Sequence, residues 1–181
     1  MKSVKITYFV HGTTTDNLSR RSTGWLPGEL SELGIKQSEE LKNLANLDNF
    51  DAIFCSDLKR AIDSAYLNFG KNTQIIQDER LRECNYGDLN GMSSDQVIDE
   101  DHVSRPFPNG ESLLDVEKRI RSFCGFLLDN YNEKHIAIVA HKAPQLAFEV
   151  ITQGKSWEQA LSDDWRKRGG VWQPGWNYEL K

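Results

Sequence analysis

Apolar residues along this 181-residue chain fall into two rhythms. Four short runs, Val4–Val10, Ala52–Cys55, Thr73–Gln77 and Ile136–Ala140, are continuously apolar more than they alternate, the pattern of strands covered on both faces. Between them the spacing turns helical. Leu58, Ala61, Ile62, Ala65, Tyr66 and Phe69 recur on one helix face, with Gly70 placed as a stop. Leu41, Leu44 and Leu47 mark a helix beginning near Ser31. The clearest helix runs from about Ser112 to Tyr131, its stripe made by Leu113, Val116, Ile120, Phe123, Leu127 and Tyr131, and Ser112-x-x-Asp115 resembles a capping box. Ala143–Gln153 and Trp157–Asp164 read as further helices, and Val171–Leu180 as a last strand weakened by Pro174 and Gly175. Residues 90–108 hold few apolar side chains and two prolines, which predicts a surface excursion with one short helix.

Strands alternating with helices predict an α/β fold: a three-layer sandwich with a largely parallel central sheet and helices on both faces. In such sheets ligands bind beyond the carboxyl ends of the strands. The residues that follow the runs therefore carry the chemical interest. The first run hands over to His11, Gly12, Thr13, Thr14 and Asn17, and the second to Ser56, Asp57 and Arg60. The third leads through Asp78 to Arg80, Arg82 and Glu83, and the last gives His141 and Lys142.

Two imidazoles, a guanidinium and a carboxyl over one sheet edge suit phosphoryl transfer. A neutral imidazole attacks phosphorus near pH 7 and leaves a phosphohistidine that water opens. An arginine and a second, protonated histidine would stabilise the equatorial oxygens. Thr14 and Asn17 would donate hydrogen bonds, Gly12 would admit a close backbone approach, and Glu83 would serve the leaving oxygen as acid and the attacking water as base. Each residue also has a plainer reading. His11 and His141 taken singly read as satisfied structural histidines. Arg60 lies off the apolar stripe of its helix, which predicts a solvated surface arginine, and His102, His135 and the tryptophans at 157, 165, 172 and 176 read as surface, turn and packing residues.

Composition narrows the field. A length of 181 residues fits one domain, and 38% hydrophobic with 27% charged residues fits a globular chain. Net charge is −5 with no basic block, which argues against a nucleic-acid partner. Ile6–Val10 is far too short to span a membrane and ends without a cleavage signature, so neither a membrane anchor nor a signal peptide is expected. Three widely spaced cysteines, Cys55, Cys84 and Cys124, have neither metal nor disulfide spacing and fit a reducing cytoplasm.

The string His11-Gly12-x-Thr14-x-x-Asn17, followed by Thr23-Gly24-Trp25, resembles the N-terminal signature of the histidine phosphatase superfamily, which includes the cofactor-dependent phosphoglycerate mutases. The similarity continues through "LSELGIKQSEEL", "IFCSDLKRAIDSA", "LRECNYGDLNGM", "PNGESLLDVEKR" and "IAIVAH", over roughly the first four-fifths of the chain. By position, His11 resembles the phosphorylated nucleophile, Arg60 a phosphate-binding arginine, His141 the second phosphate-pocket histidine and Glu83 the proton donor. Thr14, Asn17, Thr23, Gly24 and Tyr86 match positions that contact phosphate or substrate. The resemblance implies a phosphoglycerate mutase-like fold, a small phosphorylated substrate, and chemistry that needs neither metal nor cofactor.

Two positions depart from the family pattern. Val10 stands where an arginine usually precedes the nucleophile, and Lys142 where a glycine usually follows the second histidine. Losing a guanidinium at the phosphoryl group would cost several kcal/mol of transition-state stabilisation unless replaced. Val10 is expected to point into the core, and Lys142, Arg20 or Arg21 to supply the missing charge, with lysine offering a point charge instead of a fork. About 27 residues separate Glu83 from Gly110, without an added arginine pair, and this short connection favours hydrolysis over mutase-type transfer. Two other readings stand beside it: an inactive member that binds a phosphorylated ligand or a protein, and a metal hydrolase built on His11, His141 and a carboxylate.

Overall fold

The computed structural model describes residues 2–44, 50–168 and 175–181. Its centre is a five-stranded sheet of β1 (Val4–Val10), β2 (Ala52–Cys55), β3 (Ile76–Gln77), β4 (His135–Ala140) and β5 (Trp176–Leu180), in the order β3-β2-β4-β1-β5. The first four strands of that order pair in parallel, and β5 adds antiparallel to β1 at the edge. The short helix α1 (Thr15–Leu18) follows β1. The longer helices are α2 (Glu32–Leu44), α3 (Lys59–Phe69), α4 (Leu113–Asn130), α5 (Lys142–Gln153) and α6 (Trp157–Asp163).

The sheet is buried on both faces, as its continuous apolar runs require. Tyr8, Val10, Phe54, Ile136 and Ile138 face α4, α5 and α6 in the larger core, with Phe123, Leu127 and Phe148 among their partners. Phe9, Ile53, Cys55, Ala137 and Val139 face α2 and α3, packing on Leu41, Ala65 and Phe69. The expected three-layer α/β arrangement is thus present. Caps set the helix limits. Ser112 and Asp115 form the capping box of α4, and α3 stops at Gly70 with φ +92°.

Three expectations need correction. The run Thr73–Gln77 contributes only Ile76–Gln77 to the sheet, because Thr73 folds back on α3, its hydroxyl donating to the Phe69 carbonyl at 2.5 Å. The last strand keeps only Trp176–Leu180 of Val171–Leu180; residues 171–174 lie outside the described residues, as do Leu47 and Trp172. Residues 90–108 are more than a surface excursion. They include 3₁₀ turns at Ser94–Gln96 and Asp99–His102 and bury Phe107 and Asp99 almost completely.

The loop after β1 is wedged between two helices. Gly12 donates its N–H to the Ser64 hydroxyl on α3 and lies against Gly34 on α2, where an added Cβ would come within 2.2 Å of the Gly34 carbonyl oxygen. A Cβ on Gly34 would in turn meet the Thr13 carbonyl oxygen at 2.1 Å. Backbone cannot retreat as a flexible side chain can. Gly34→Ala is therefore expected to destabilise by about 1–3 kcal/mol, whereas Gly125→Ala, on an exposed turn of α4 with open space at its Cβ, should be neutral or slightly stabilising. Urea midpoints at constant slope compare the two, and a Gly34→Ala protein as stable as Gly125→Ala would refute the wedge.

Candidate active site

Strand register builds the site. Val10 pairs with Ala140 across β1 and β4, so the next residues, His11 and His141, emerge side by side at the carboxyl edge. The His11 N–H donates to the Ala140 carbonyl at 3.0 Å, and the two ring centroids lie 5.1 Å apart at 59°. Cys55 aligns with Val139, so the chain leaving β2 enters α3 beside them and brings Arg60.

His11 sits half-buried at the floor of a cavity of about 370 Å³. Its Nδ1 lies 2.7 Å from the Gly12 carbonyl oxygen. A carbonyl only accepts, so Nδ1 carries the proton and the lone pair is on Nε2. Arg60 Nε donates to that Nε2 at 3.3 Å, while its terminal nitrogens donate to the Gly24 carbonyl at 2.8 Å and the Leu26 carbonyl at 3.3 Å. Arg60 is only 2% exposed, which corrects the expected solvated arginine. Among the described residues it has no carboxylate in ion-pair contact, unlike Arg80, Arg82 and Arg119, whose charges are spent on Asp78, Asp57 and Glu111. A buried guanidinium held by carbonyls alone is costly unless an anion completes it.

His141 is fully buried and is not among the residues that line the cavity, and neither ring nitrogen has a partner among the described residues. Tyr8 fixes its backbone, the phenol donating to the His141 carbonyl at 2.7 Å and accepting its N–H at 3.1 Å. Burial, with the Arg60 charge second, pulls the His11 pKa down to about 3. Burial, Arg60 and His11 hold His141 well below the ordinary imidazole range. Without a bound anion the protein's own groups thus favour the neutral form of both rings. A bound dianion would pull both pKa values back upward.

Glu83 is nearly buried at the cavity wall. Its Oε1 accepts from the Cys84 and Ala143 N–H groups, both at 2.9 Å, and Oε2 accepts from Lys142 N at 3.2 Å, so the carboxylate caps the start of α5. Its own carbonyl is clamped by Trp25 Nε1 at 2.7 Å and Arg119 Nη2 at 2.9 Å.

Of the other residues expected at the site, Asn17, Thr23, Gly24, Tyr86 and Lys142 line the cavity. Gly12 and Thr14 do not. Gly12 serves the packing against α2, and Thr14 is buried as the N-cap of α1, its hydroxyl accepting from Asn17 N while the Asn17 side chain accepts from Thr14 N. Thr23 donates to Asp16 at 2.8 Å. Lys142 is no free cation: its ammonium is 2.5 Å from Asp99 Oδ2, and Asp99 and Glu83 raise its pKa above the usual lysine range despite burial. Arg21 reaches the cavity lining and Arg20 does not. Val10 is 6% exposed, packs in the larger core as expected, and also contributes to the cavity wall. Sequence reasoning missed Thr13, Ser22, Ser94, Val97, Trp165 and Arg166 in the lining. The last two come from a segment read as packing, where only the adjacency of tryptophan and arginine in "DDWRKR" signalled an anchored charge. Among the described residues, no group of three or more His, Cys, Asp or Glu side chains is placed to hold a metal ion.

Comparison with known proteins agrees with this geometry. Residues 8–161 match the family model of the histidine phosphatase superfamily (branch 1). Phosphoserine phosphatase 1 of Hydrogenobacter thermophilus is 30% identical, over 83% of this chain and 77% of its own. Glucosyl-3-phosphoglycerate phosphatase of Mycobacterium tuberculosis is 27% identical over 99% and 91%. A 2,3-bisphosphoglycerate-dependent phosphoglycerate mutase of Allorhizobium ampelinum is 33% identical over 61% and 60%. Among solved structures, Bacillus stearothermophilus YhfR superposes with a TM-score of 0.79 at 26% identity, covering 95% of this chain and 87% of its own. With its fold, its paired strand-end histidines and a match over most of its length, the chain belongs to the histidine phosphatase superfamily.

Proposed function

We propose that this chain, acting as a single histidine phosphatase-like domain, hydrolyses a small phosphorylated metabolite through a phosphohistidine at His11. One observation carries the reading: the Nδ1–H bond to Gly12 fixes the tautomer, leaving the Nε2 lone pair beside a buried guanidinium that has no carboxylate partner among the described residues. Nε2 would attack phosphorus as the ester P–O bond breaks, and Glu83 would deliver a proton to the departing oxygen. Glu83 would then take a proton from water, whose oxygen displaces Nε2 and releases inorganic phosphate. As Nε2 engages phosphorus its bond from Arg60 Nε would be released, and Arg60 Nε and a ring N–H of His141 would donate to the equatorial oxygens.

Hydrolysis is favoured over mutase-type transfer by two observations. The two phosphatases cited above align over more of this chain than the mutase does. The Glu83–Gly110 connection also contains only single 3₁₀ turns. The three cysteines are free and buried, burial pushing Cys55 and Cys124 up to about 12, which fits inert thiols in a reducing, cytoplasmic setting. Among the described residues, no helix is long and apolar enough to cross a membrane.

A panel of phosphorylated metabolites assayed with and without EDTA tests the reading. Turnover should be indifferent to chelator and lost in His11→Ala, with an acid-labile phosphate adduct trapped on wild type by intact mass. Phosphate-ester binding without turnover would instead identify an inactive binder, and loss of turnover in EDTA a metal hydrolase. Glu83→Gln should slow alkyl phosphates by roughly 10²–10⁴-fold and aryl phosphates far less, since aryl leaving groups need little protonation. Equal losses would remove Glu83 from the role of acid.

The buried imidazoles also set an acid limit on stability. Their folded pKa values lie below the unfolded value of about 6.5, so the unfolded chain binds more protons below that pH. Their contribution is complete above about pH 6.5 and is lost as pH falls toward the folded values, at up to roughly 1.4 kcal/mol per pH unit for each ring. Urea unfolding between pH 7.5 and 5.5 should show this slope in wild type and a flatter one in the His11→Gln/His141→Gln protein. Identical slopes would mean that burial does not hold these rings neutral.

A further inference from the structure

We infer that Arg166, from the segment after α6, is a second guanidinium of the phosphoryl site, donating to the anion bound over His11 and taking the place that Val10 leaves apolar. This rests on the reading of the cavity as a phosphoryl site.

The placement of Arg166 is independent of that reading. Arg166 and Val10 line the same cavity. Arg166 Nη1 donates to Gln145 Oε1 at 3.2 Å, and Gln145 lies one helical turn past His141, its N–H donating to the His141 carbonyl at 3.3 Å. The guanidinium is therefore tied to a side chain from the first turn of α5. The same Nη1 donates to Asp164 at 2.8 Å, and the plane lies over Trp165 at 4.9 Å and Trp176 at 5.8 Å. Gln145 is itself fixed, its amide donating to Glu149 Oε1 and the Tyr178 hydroxyl. Such clamping removes the rotamer freedom an arginine would otherwise lose on binding.

The other terminal nitrogen, Nη2, is shielded from solvent and has no partner among the described residues. Shielded, unmet N–H donors on a fixed cation are costly in a finished core and useful beside an anion. The charges expected to fill this role are worse placed. The Lys142 ammonium is bound to Asp99, Arg20 is outside the lining, and Arg21 is exposed at the cavity mouth. Arg166 does have a carboxylate, Asp164, but that contact is made by Nη1, and Nη2 has no partner among the described residues.

The test uses inorganic phosphate as the binding probe and p-nitrophenyl phosphate for turnover. Arg166→Ala should weaken phosphate binding at least tenfold and lower kcat/KM by roughly 10²-fold, the cost of removing one donor to a developing oxyanion. Adding Val10→Arg to that variant should restore at least tenfold of the loss, because the new guanidinium enters the same cavity from β1. A purely structural role would not be rescued from position 10. If Arg166→Ala fails to fold by thermal melting, Arg166→Gln, which keeps a donor for Asp164, takes its place with the same expectation. Phosphate affinity within twofold of wild type in a folded variant, or no rescue in a Val10→Arg/Arg166→Ala protein that the same thermal melt shows to be folded, would overturn the inference. The two proposals separate cleanly. Phosphate binding that depends on Arg166 without turnover would sink hydrolysis alone, turnover indifferent to Arg166 would sink this inference alone, and a wild type that neither binds phosphate nor turns over would sink both.

Discussion

The parallel pairing of β1 with β4, in register from Lys5–His135 to Val10–Ala140, is the constraint on which the site depends. A slip of one residue would send Tyr8 and Val10 toward α2 and α3, and Phe9 toward α4 and α5, exchanging the two core faces. It would also part the imidazoles. The register is held from both sides, since Val4, Ile6 and Tyr8 are filled against one layer and Phe9 against the other. The Tyr8 phenol adds a polar lock by bridging to both backbone groups of His141. Burial that stabilises the sheet therefore also fixes the distance between two rings that would otherwise move independently.

Positive charge in this protein is sorted by partner. Arg80, Arg82, Arg119 and Lys142 each meet a carboxylate, and their contacts shape the wall: Arg119 ties the Arg80, Arg82 and Glu83 carbonyls together, and Lys142 anchors residues 90–108 through Asp99. Arg60 is treated differently. It spends its donors on the 23–26 loop and on His11, and among the described residues no carboxylate in contact cancels its charge. Burial first, and the field of this charge second, lower the pKa of both imidazoles, which suits a nitrogen that must offer a lone pair. The same field would draw an anion to them.

The fold was legible because its central strands are mostly apolar and its helices carry caps; Ser112 with Asp115 and Gly70 set boundaries that the structure keeps. The meeting of His11 with His141 was legible for the same reason, since each follows directly on a strand that the pattern identifies. Helix periodicity misled at Arg60. It places Arg60 off the stripe of α3, but the ground beyond that stripe is covered by the 23–26 loop, whose return over the sheet edge has no periodic signal. Thr14 misled for a related reason: a hydroxyl after a strand is equally a helix cap, and the Asn17 three residues on was the mark of a reciprocal cap. The contribution of Trp165 and Arg166 was hidden because it depends on α5 presenting Gln145 to a segment twenty residues away.

Strand parity explains how the cavity can hold valine at position 10. The side chain lies on the face shared with Ile6 and Tyr8, 6% exposed, where it completes the apolar layer above α4 and α5. An arginine rooted there must leave that layer to reach the anion, and its stem is confined between buried aliphatic neighbours. Arg166 approaches from the other direction. Its backbone lies outside the layer, its plane rests on Trp165 and Trp176, and one edge of its fork is already taken by Gln145 and Asp164. In the proposed arrangement, the guanidinium is oriented by groups that the tail and α5 provide, and β1 is left free to be purely hydrophobic at its last residue. Stability of the strand end and charge at the site, joined in one residue by the family pattern, are then carried by two residues far apart in the chain.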